Sequence, residues 1–226
     1  MSKFGILFTH TRPPLSHETA SWQNCGFRVY YQPLLKVVHL PVAPLSVQPQ
    51  AIVLSSANGA AALQNSVWDR HIPVYTVGTT TAETAKAVGF INCIAPNAGP
   101  HPSALNLVKW LVQNLQPTDG AIVHGSGEKL RYDLTTMLSS HGFETLRVVL
   151  YHTQSSTAFD REIAQSLQDN SIQKVAVASE QALQTLASLL QKISITPNQL
   201  QLLLPSAYLQ RAAEKLGFID NTKIID

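Results

Sequence analysis

The residues best suited to hold a charged ligand lie in the stretch Val74–Phe90, VYTVGTTTAETAKAVGF. Val74-Tyr75-Thr76-Val77 has strand composition. Gly78 interrupts it, Thr79, Thr80 and Thr81 follow, and Ala82 to Val88 reads as a helix closed by Gly89. A strand feeding a helix through such a turn aims backbone N–H groups and hydroxyls at whatever sits above the sheet, which suits an anion. Five further turns have a similar make: His10-Thr11-Arg12-Pro13-Pro14, Ser55-Ser56-Ala57-Asn58-Gly59, Gly125-Ser126-Gly127-Glu128, Ser179-Glu180 and Pro205-Ser206. Arg12, Lys129, Arg131 and Arg211 add cations at their rim. Together these groups suit a small molecule with several separated carboxylates. The alternative is a scaffold whose turns only cap helices and whose cations are solvated surface charges.

Other chemistries have little support. The two cysteines, Cys25 and Cys93, match no metal or redox spacing, and the eight histidines are scattered without ligand spacing on one helix. Gly125-Ser126-Gly127-Glu128-Lys129 lacks the Gly-Lys-Ser/Thr ending of a nucleotide loop. The Gly-x-Ser-x-Gly elbow of a triad hydrolase is absent from the sequence. A net charge of +2, with no Lys/Arg cluster, argues against nucleic acid. No apolar run approaches the ~20 residues of a membrane span, and MSKFGILFTHTRPP goes directly into a strand without a cleavable signal pattern. These features predict a soluble cytoplasmic protein. Its 226 residues, 45% of them hydrophobic and only 13% charged, suffice for one large or two small domains with real cores.

The elements that must position the turns alternate. Strands are expected at Phe4–Thr9, Val29–Tyr31, Ala51–Leu54, Val74–Val77, Asn92–Ala95, Ala121–His124, Leu146–His152, Lys174–Ala178, Leu202–Leu204 and from Asn221 onward. Pro33 to Pro41 is an extended connector, because proline disfavours helix at both ends. Helices are expected at Glu18–Asn24, Ala60–Asn65, Ala82–Val88, Ala104–Leu115, from the Gly125 turn to about Ser140, and at Phe159–Gln168, Ala182–Gln191 and Leu209–Leu216. Ser103 caps the helix from Ala104, whose Leu105, Val108, Leu111 and Val112 share a face. Pro96 to Pro102 is a loop. Strands that alternate with helices in this way form parallel sheets.

The two halves repeat. Thr9 to Gly26 and Gly125 to Gly142 are spans of equal length, each running from a strand end to a helix-closing Gly-Phe. Val53–Leu63 matches Ala176–Leu183 as strand, serine, helix, and Ala82–Phe90 matches Gln210–Phe218. A duplicated strand-turn-helix unit brings six polar turns to the carboxyl ends of parallel strands, where open α/β sheets bind ligands. Two such domains facing each other make a cleft.

At this point the residues resemble a known family, the uroporphyrinogen-III synthases. Thr11-Arg12-Pro13 is similar to that family's opening motif and Gln32-Pro33-Leu34-Leu35 to its first interdomain strand. Ser55-Ser56-Ala57-Asn58-Gly59 resembles its Thr-Ser-Ala-Asn motif, with Ser55 where threonine is common. Val77–Ala82 resembles Val-Gly-x-x-Thr-Ala, and Gly127-Glu128 with Arg131 and Leu134 resembles Gly-Glu-x-x-Arg-x-x-Leu. Tyr151-His152-Thr153 resembles the Tyr-x-Thr of the returning linker, whereas Leu204–Tyr208 departs from the Gly-Pro-Thr-Thr-Ala form of some members. The motifs keep the family's order over nearly the whole chain.

The resemblance implies two similar parallel-sheet α/β domains, flavodoxin-like, joined by a two-stranded linker with a cleft between them. Domain 1 is discontinuous, residues 1–34 and 154–226, domain 2 spans 40–147, and the linker strands are 35–39 and 148–153. Two linkers make a hinge, so closure over the substrate is expected. The implied reaction is cyclisation of hydroxymethylbilane, a linear tetrapyrrole with eight carboxylates, with loss of water, inversion of the last ring, and no cofactor or metal. The substrate closes unaided to the uninverted isomer, so the protein must make the substituted carbon of the last ring attack first, which is largely control of orientation. Thr11, Arg12, Ser55, Ser56, Asn58, Gly78, Thr79, Thr80, Thr81, Gly125, Ser126, Gly127, Ser179 and Ser206 would hold the substrate. Tyr151 would give a proton to the departing hydroxyl, a phenol being protonated at neutral pH. The expected state is a monomer that binds neither nucleic acid nor membrane, with a transient hand-over of substrate from porphobilinogen deaminase. Two rival readings are a non-catalytic two-domain binder of an anionic small molecule and a degenerate synthase retained as a scaffold.

Overall fold

The computed structural model describes residues 4–96, 103–130, 132–219 and 221–224. Arg131, and the expected loop beyond Pro96, lie outside the described residues. The chain runs through β1 (Phe4–Phe8), α1 (Ser16–Asn24), β2 (Phe27–Tyr31) and β3 (Leu35–His39). It continues through β4 (Pro49–Leu54), α2 (Ala57–Ala62), β5 (Val74–Thr76), α3 (Thr79–Ala87), β6 (Cys93–Ile94), α4 (Ala104–Asn114), β7 (Ala121–Gly127), α5 (Leu134–Ser139) and β8 (Thr145–Ser155). It closes with α6 (Arg161–Gln168), β9 (Ile172–Ala176), α7 (Glu180–Lys192), β10 (Gln201–Leu204), α8 (Ala207–Lys215) and β11 (Thr222–Ile224).

The chain divides into two compact units, residues 1–36 with 154–226, and residues 37–153. The first holds a parallel sheet in the order β11-β10-β9-β1-β2. Its central strands β1, β9 and β10 bury apolar residues on both faces, as a sheet covered on both sides requires. Leu7, Val175, Leu202 and Leu204 pack with Leu183 and Leu186 of α7, while Ile6, Phe8, Ala176 and Leu203 fill the opposite face. The second unit holds the order β3-β8-β7-β4-β5-β6, parallel from β8 to β6. Ile52, Leu54, Val123 and Leu150 face one core, and Ala51, Val53, Tyr75 and Ile122 the other, the period of two expected of strands.

The helix ends follow local chemistry. Gly26, Gly89, Gly142 and Gly217 all take positive φ, between 80° and 104°, which an L side chain resists. At three of these ends the following phenylalanine is buried and its N–H reaches back five residues into the last turn: Phe90 to the Ala85 carbonyl (3.1 Å), Phe143 to Leu138 (3.4 Å) and Phe218 to Ala213 (3.1 Å). Helix starts are set by serine. Ser56, Ser103, Ser179 and Ser206 accept from the amides of Asn58, Asn106, Ala182 and Leu209 at 3.1–3.4 Å.

These caps shift several expected boundaries. α2 begins at Ala57 rather than Ala60, and α7 at Glu180 rather than Ala182. α3 begins at Thr79, so the three threonines are its first turn and not a turn before it. In α4 Leu105 is exposed and Leu107, Val108 and Leu111 are buried, packed against Ala51, Val53, Tyr75 and Ile122 of the sheet. The largest correction is at Gly125-Ser126-Gly127, expected as a turn. These residues continue β7, with all seven of its positions buried. Gly125 has parallel partners on both sides, Leu54 and Val148, while Ser126 and Gly127 pair with β8 alone, opposite Val149 and Tyr151.

Candidate active site

The order of the second sheet fixes where a ligand can enter. From β4 the chain steps outward to β5 and β6, then returns to β7 and steps the other way to β8. Loops leaving β4 and β7 therefore part in opposite directions and leave a crevice beyond the strand ends, the switch point at which open α/β sheets bind ligands. A cavity of about 450 Å³ lies there. Ser55 after β4, Val77 after β5 and Gly127 at the end of β7 supply its strand-end wall. Ser103 and Ala104 open α4 on one side, and Lys129, Leu130 and Tyr132 line the segment that leads to Leu134 of α5. Tyr151 of β8 completes it.

Tyr151 is half-buried, and its ring lies directly against the backbone of Gly127. A β-carbon at Gly127 would fall 2.8 Å from Cζ and 3.0 Å from both Cε2 and the phenol oxygen. Gly127 is thus the space the ring occupies. The cavity presents small hydroxyls, the two phenols of Tyr132 and Tyr151, and an ammonium, groups able to take up carboxylate and to donate a proton.

Beneath the cavity the sheet carries an unusual residue. His124 is 1% exposed, and neither ring nitrogen has a hydrogen-bond partner. Burial, and then the Arg147 guanidinium opposite it in β8, lower its pKa from 6.5 to about 4. Asp133, which caps α5 through the amides of Thr135 and Thr136, opposes this only weakly. A histidine neutral in the fold and protonated when unfolded favours unfolding as acid is added. Stability is full above pH 6.5, falls between 6.5 and about 4, and levels below. At about 1.4 kcal/mol per unit the loss is about 3 kcal/mol. Urea unfolding at pH 7 and pH 4.5 should show most of this loss, and His124→Leu should abolish it; an unchanged pH slope in that variant would show that other groups carry it.

The structure brings some of the sequence-expected residues together and not others. Ser55, Gly127 and Tyr151 share the cavity, with Lys129 beside them. Among the described residues Ser56, Asn58, Gly78, Thr79, Thr80, Thr81, Gly125 and Ser126 lie outside its lining. The Ser56 hydroxyl accepts the Asn58 amide as the cap of α2, and Asn58 sits inside that helix. Gly78 caps α3, Thr79 and Thr80 are exposed in its first turn, and Thr81 is buried. Gly125 is enclosed by Leu54 and Leu150. Ser126 is 2% exposed, and its hydroxyl donates to the Gly127 carbonyl (3.1 Å) while accepting from Arg147 (3.0 Å).

In the first unit β1 and β9 are the neighbours from which the chain departs in opposite directions, and Thr11 and Ser179 lie just beyond their ends. Arg12 is exposed and holds Glu18 at 3.1 Å; that carboxyl is drawn below its ordinary pKa first by the Leu15 amide and then by Arg12. Ser179 and Ser206 cap α7 and α8. Arg211 lies with Glu180, Gln184, Tyr208 and Lys215 in a shallow hollow of about 320 Å³. Sequence reasoning passed over Ser103, Leu130, Tyr132, His124 and Arg147. The serine was assigned only to its helix, and the others carry no local pattern. Among the described residues no group of three His, Cys, Asp or Glu side chains could hold a metal ion, and no helix is long and apolar enough to cross a membrane.

Parallel sheets with a cavity at the switch point define an α/β protein built to the plan of small-molecule-binding open sheets. The family comparison narrows the class. The model for uroporphyrinogen-III synthase HemD matches residues 18–221, and the chain belongs to that family. Its reaction is cyclisation of hydroxymethylbilane with loss of water and inversion of the last ring, a cofactor-independent lyase step in tetrapyrrole biosynthesis. Among solved structures the chain is similar to uroporphyrinogen-III synthetase from Helicobacter pylori, at 12% identity and a TM-score of 0.66, covering 98% of this chain and 92% of that one. It is also similar to a mutant uroporphyrinogen III synthase from Thermus thermophilus, at 15% identity and a TM-score of 0.55, covering 99% and 92%. At such identities these two matches speak for the fold. No curated protein matches the chain.

Proposed function

We propose that the switch-point cavity of the second unit is where the reacting end of hydroxymethylbilane is held, with Tyr151 as proton donor to the departing hydroxyl. The observation that carries this is the meeting of the Tyr151 ring, the Gly127 backbone and Lys129 in one cavity at the ends of β4 and β7. The C–O bond of the hydroxymethyl group breaks, the hydroxyl takes the phenol proton and leaves as water, and the substituted carbon of the last ring bonds to the freed methylene. The bond from that carbon to its original bridge then breaks and re-forms at the ring's free α-carbon, whose proton returns to the phenolate. Lys129 and the hydroxyls of Ser55 and Ser103 attract the substrate's carboxylates. Thr11, Arg12, Ser179 and Ser206 of the first unit hold further carboxylates. In this reading the strands at 35–39 and 148–153 act as a two-stranded linker between domains 1–34 with 154–226 and 40–147, and the domains close over the substrate.

The protein acts as a cytoplasmic monomer that receives substrate from porphobilinogen deaminase. Two free cysteines, one exposed and one buried, support a reducing compartment. Lys129→Glu tests the placement. Replacing attraction by repulsion next to a carboxylate should raise KM about tenfold with a smaller change in kcat, and added salt should shrink the difference. An unchanged KM at low salt would move the carboxylates away from this cavity.

A further inference from the structure

Parallel pairing of β7 with β8 loses its regular register between Ser126 and Gly127. Past that point the chain must leave the sheet and still present Gly127 and Lys129 to the cavity. One side chain meets this need. Arg147, on β8 opposite His124, donates from Nε to the Ser126 hydroxyl (3.0 Å), and from one terminal nitrogen to the carbonyls of Gly127 (3.0 Å) and Glu128 (2.7 Å). The Glu128 amide in turn donates to the Tyr151 carbonyl (2.9 Å). One guanidinium thus gathers three consecutive residues, and the same strand supplies both that guanidinium and the phenol that rests on Gly127.

We infer that Arg147 is a positioning residue for the reaction: its guanidinium fixes the Ser126–Glu128 end of β7, and through it the wall against which Tyr151 and Lys129 are placed. The inference rests on the proposed use of this cavity. A fork of fixed donors is suited to the task, because it can satisfy a hydroxyl and two carbonyls at set angles, whereas an ammonium acts as a point. Displacing a wall of the site by about an ångström lowers turnover by up to about a hundredfold, so a partial loosening predicts a fall of about tenfold.

The test combines kinetics with amide hydrogen exchange on the intact protein. Arg147→Ala should lower kcat about tenfold and speed exchange at Gly127–Leu130, the Glu128 amide above all, while amides of β4 keep their wild-type protection. Arg147→Lys should fall between wild type and Arg147→Ala in both readouts. Wild-type kcat in Arg147→Ala would overturn the inference. So would a fall in kcat without faster exchange at Glu128, or exchange accelerated equally across β4, which would mark a general loss of stability. Failure of the Tyr151 reading shows elsewhere, as wild-type turnover in Tyr151→Phe with Arg147 intact, and leaves the exchange result at Glu128 to decide the role of Arg147.

Discussion

Gly127→Ala is expected to lower turnover about a hundredfold while leaving the protein folded. The backbone at Gly127 is in a conformation open to alanine, since its φ is not among the positive ones. The conflict is with one neighbour: the new methyl would sit 2.8–3.0 Å from the far edge of the Tyr151 ring. The ring end can swing away, so the stability cost should stay within about 1–2 kcal/mol, as for modest overpacking. The phenol oxygen moves with the ring, and a proton donor displaced by an ångström loses its line to the leaving hydroxyl. Steady-state kinetics with a urea unfolding curve separates the two effects. Turnover within twofold of wild type from folded protein would mean that the phenol's position does not matter.

Tyr151→Phe removes the proton and keeps the ring. Loss of a general acid typically lowers the rate by a factor of about 100 or more, and a drop of that order in kcat is expected, with KM changed much less. Stability should barely change, because among the described residues the phenol has no hydrogen-bond partner to lose and the ring continues to cover Gly127 and to pack against the core of the second unit. Adding Gly127→Ala to Tyr151→Phe should then cost little further activity, since the group that alanine displaces is already absent. Full additivity of the two losses would separate Gly127 from the phenol. Unchanged kcat in Tyr151→Phe alone would remove Tyr151 from the chemistry.

Much of the fold was legible because it rests on local rules. Gly-Phe pairs at Gly89-Phe90, Gly142-Phe143 and Gly217-Phe218 mark helix ends that only glycine's φ allows. Serine before an apolar periodic run marked the start at Ser103, whereas Ser179 and Ser206, read as turn residues, cap helices that begin two residues earlier than expected, at Glu180 and Ala207. Where tertiary context decides, the reading failed. Gly125-Ser126-Gly127 has the composition of a turn, yet pairing with β8 along its length, with β4 at Gly125, and the bulk of Leu54, Leu150 and Tyr151 over its two glycines make it strand.

The same limit applies to the candidate site. Ser55, Gly127 and Tyr151 were named from their turns and motifs, and they meet in one cavity. Thr81, Gly125 and Ser126 were named on the same grounds and are buried. Arg147 and His124 could not be found by spacing, because their significance arises only from the parallel pairing that sets them opposite each other.

The most direct measurement is the isomer composition of the product. Porphobilinogen deaminase supplies fresh hydroxymethylbilane, the protein is added, and the oxidised uroporphyrins are separated by chromatography. The account predicts a shift from isomer I, the product of unaided closure, to isomer III, with the shift lost in step with kcat in Tyr151→Phe and Gly127→Ala. Isomer I alone, from protein shown to be folded, would contradict it and leave a two-unit α/β protein that binds an anionic small molecule without turning it over.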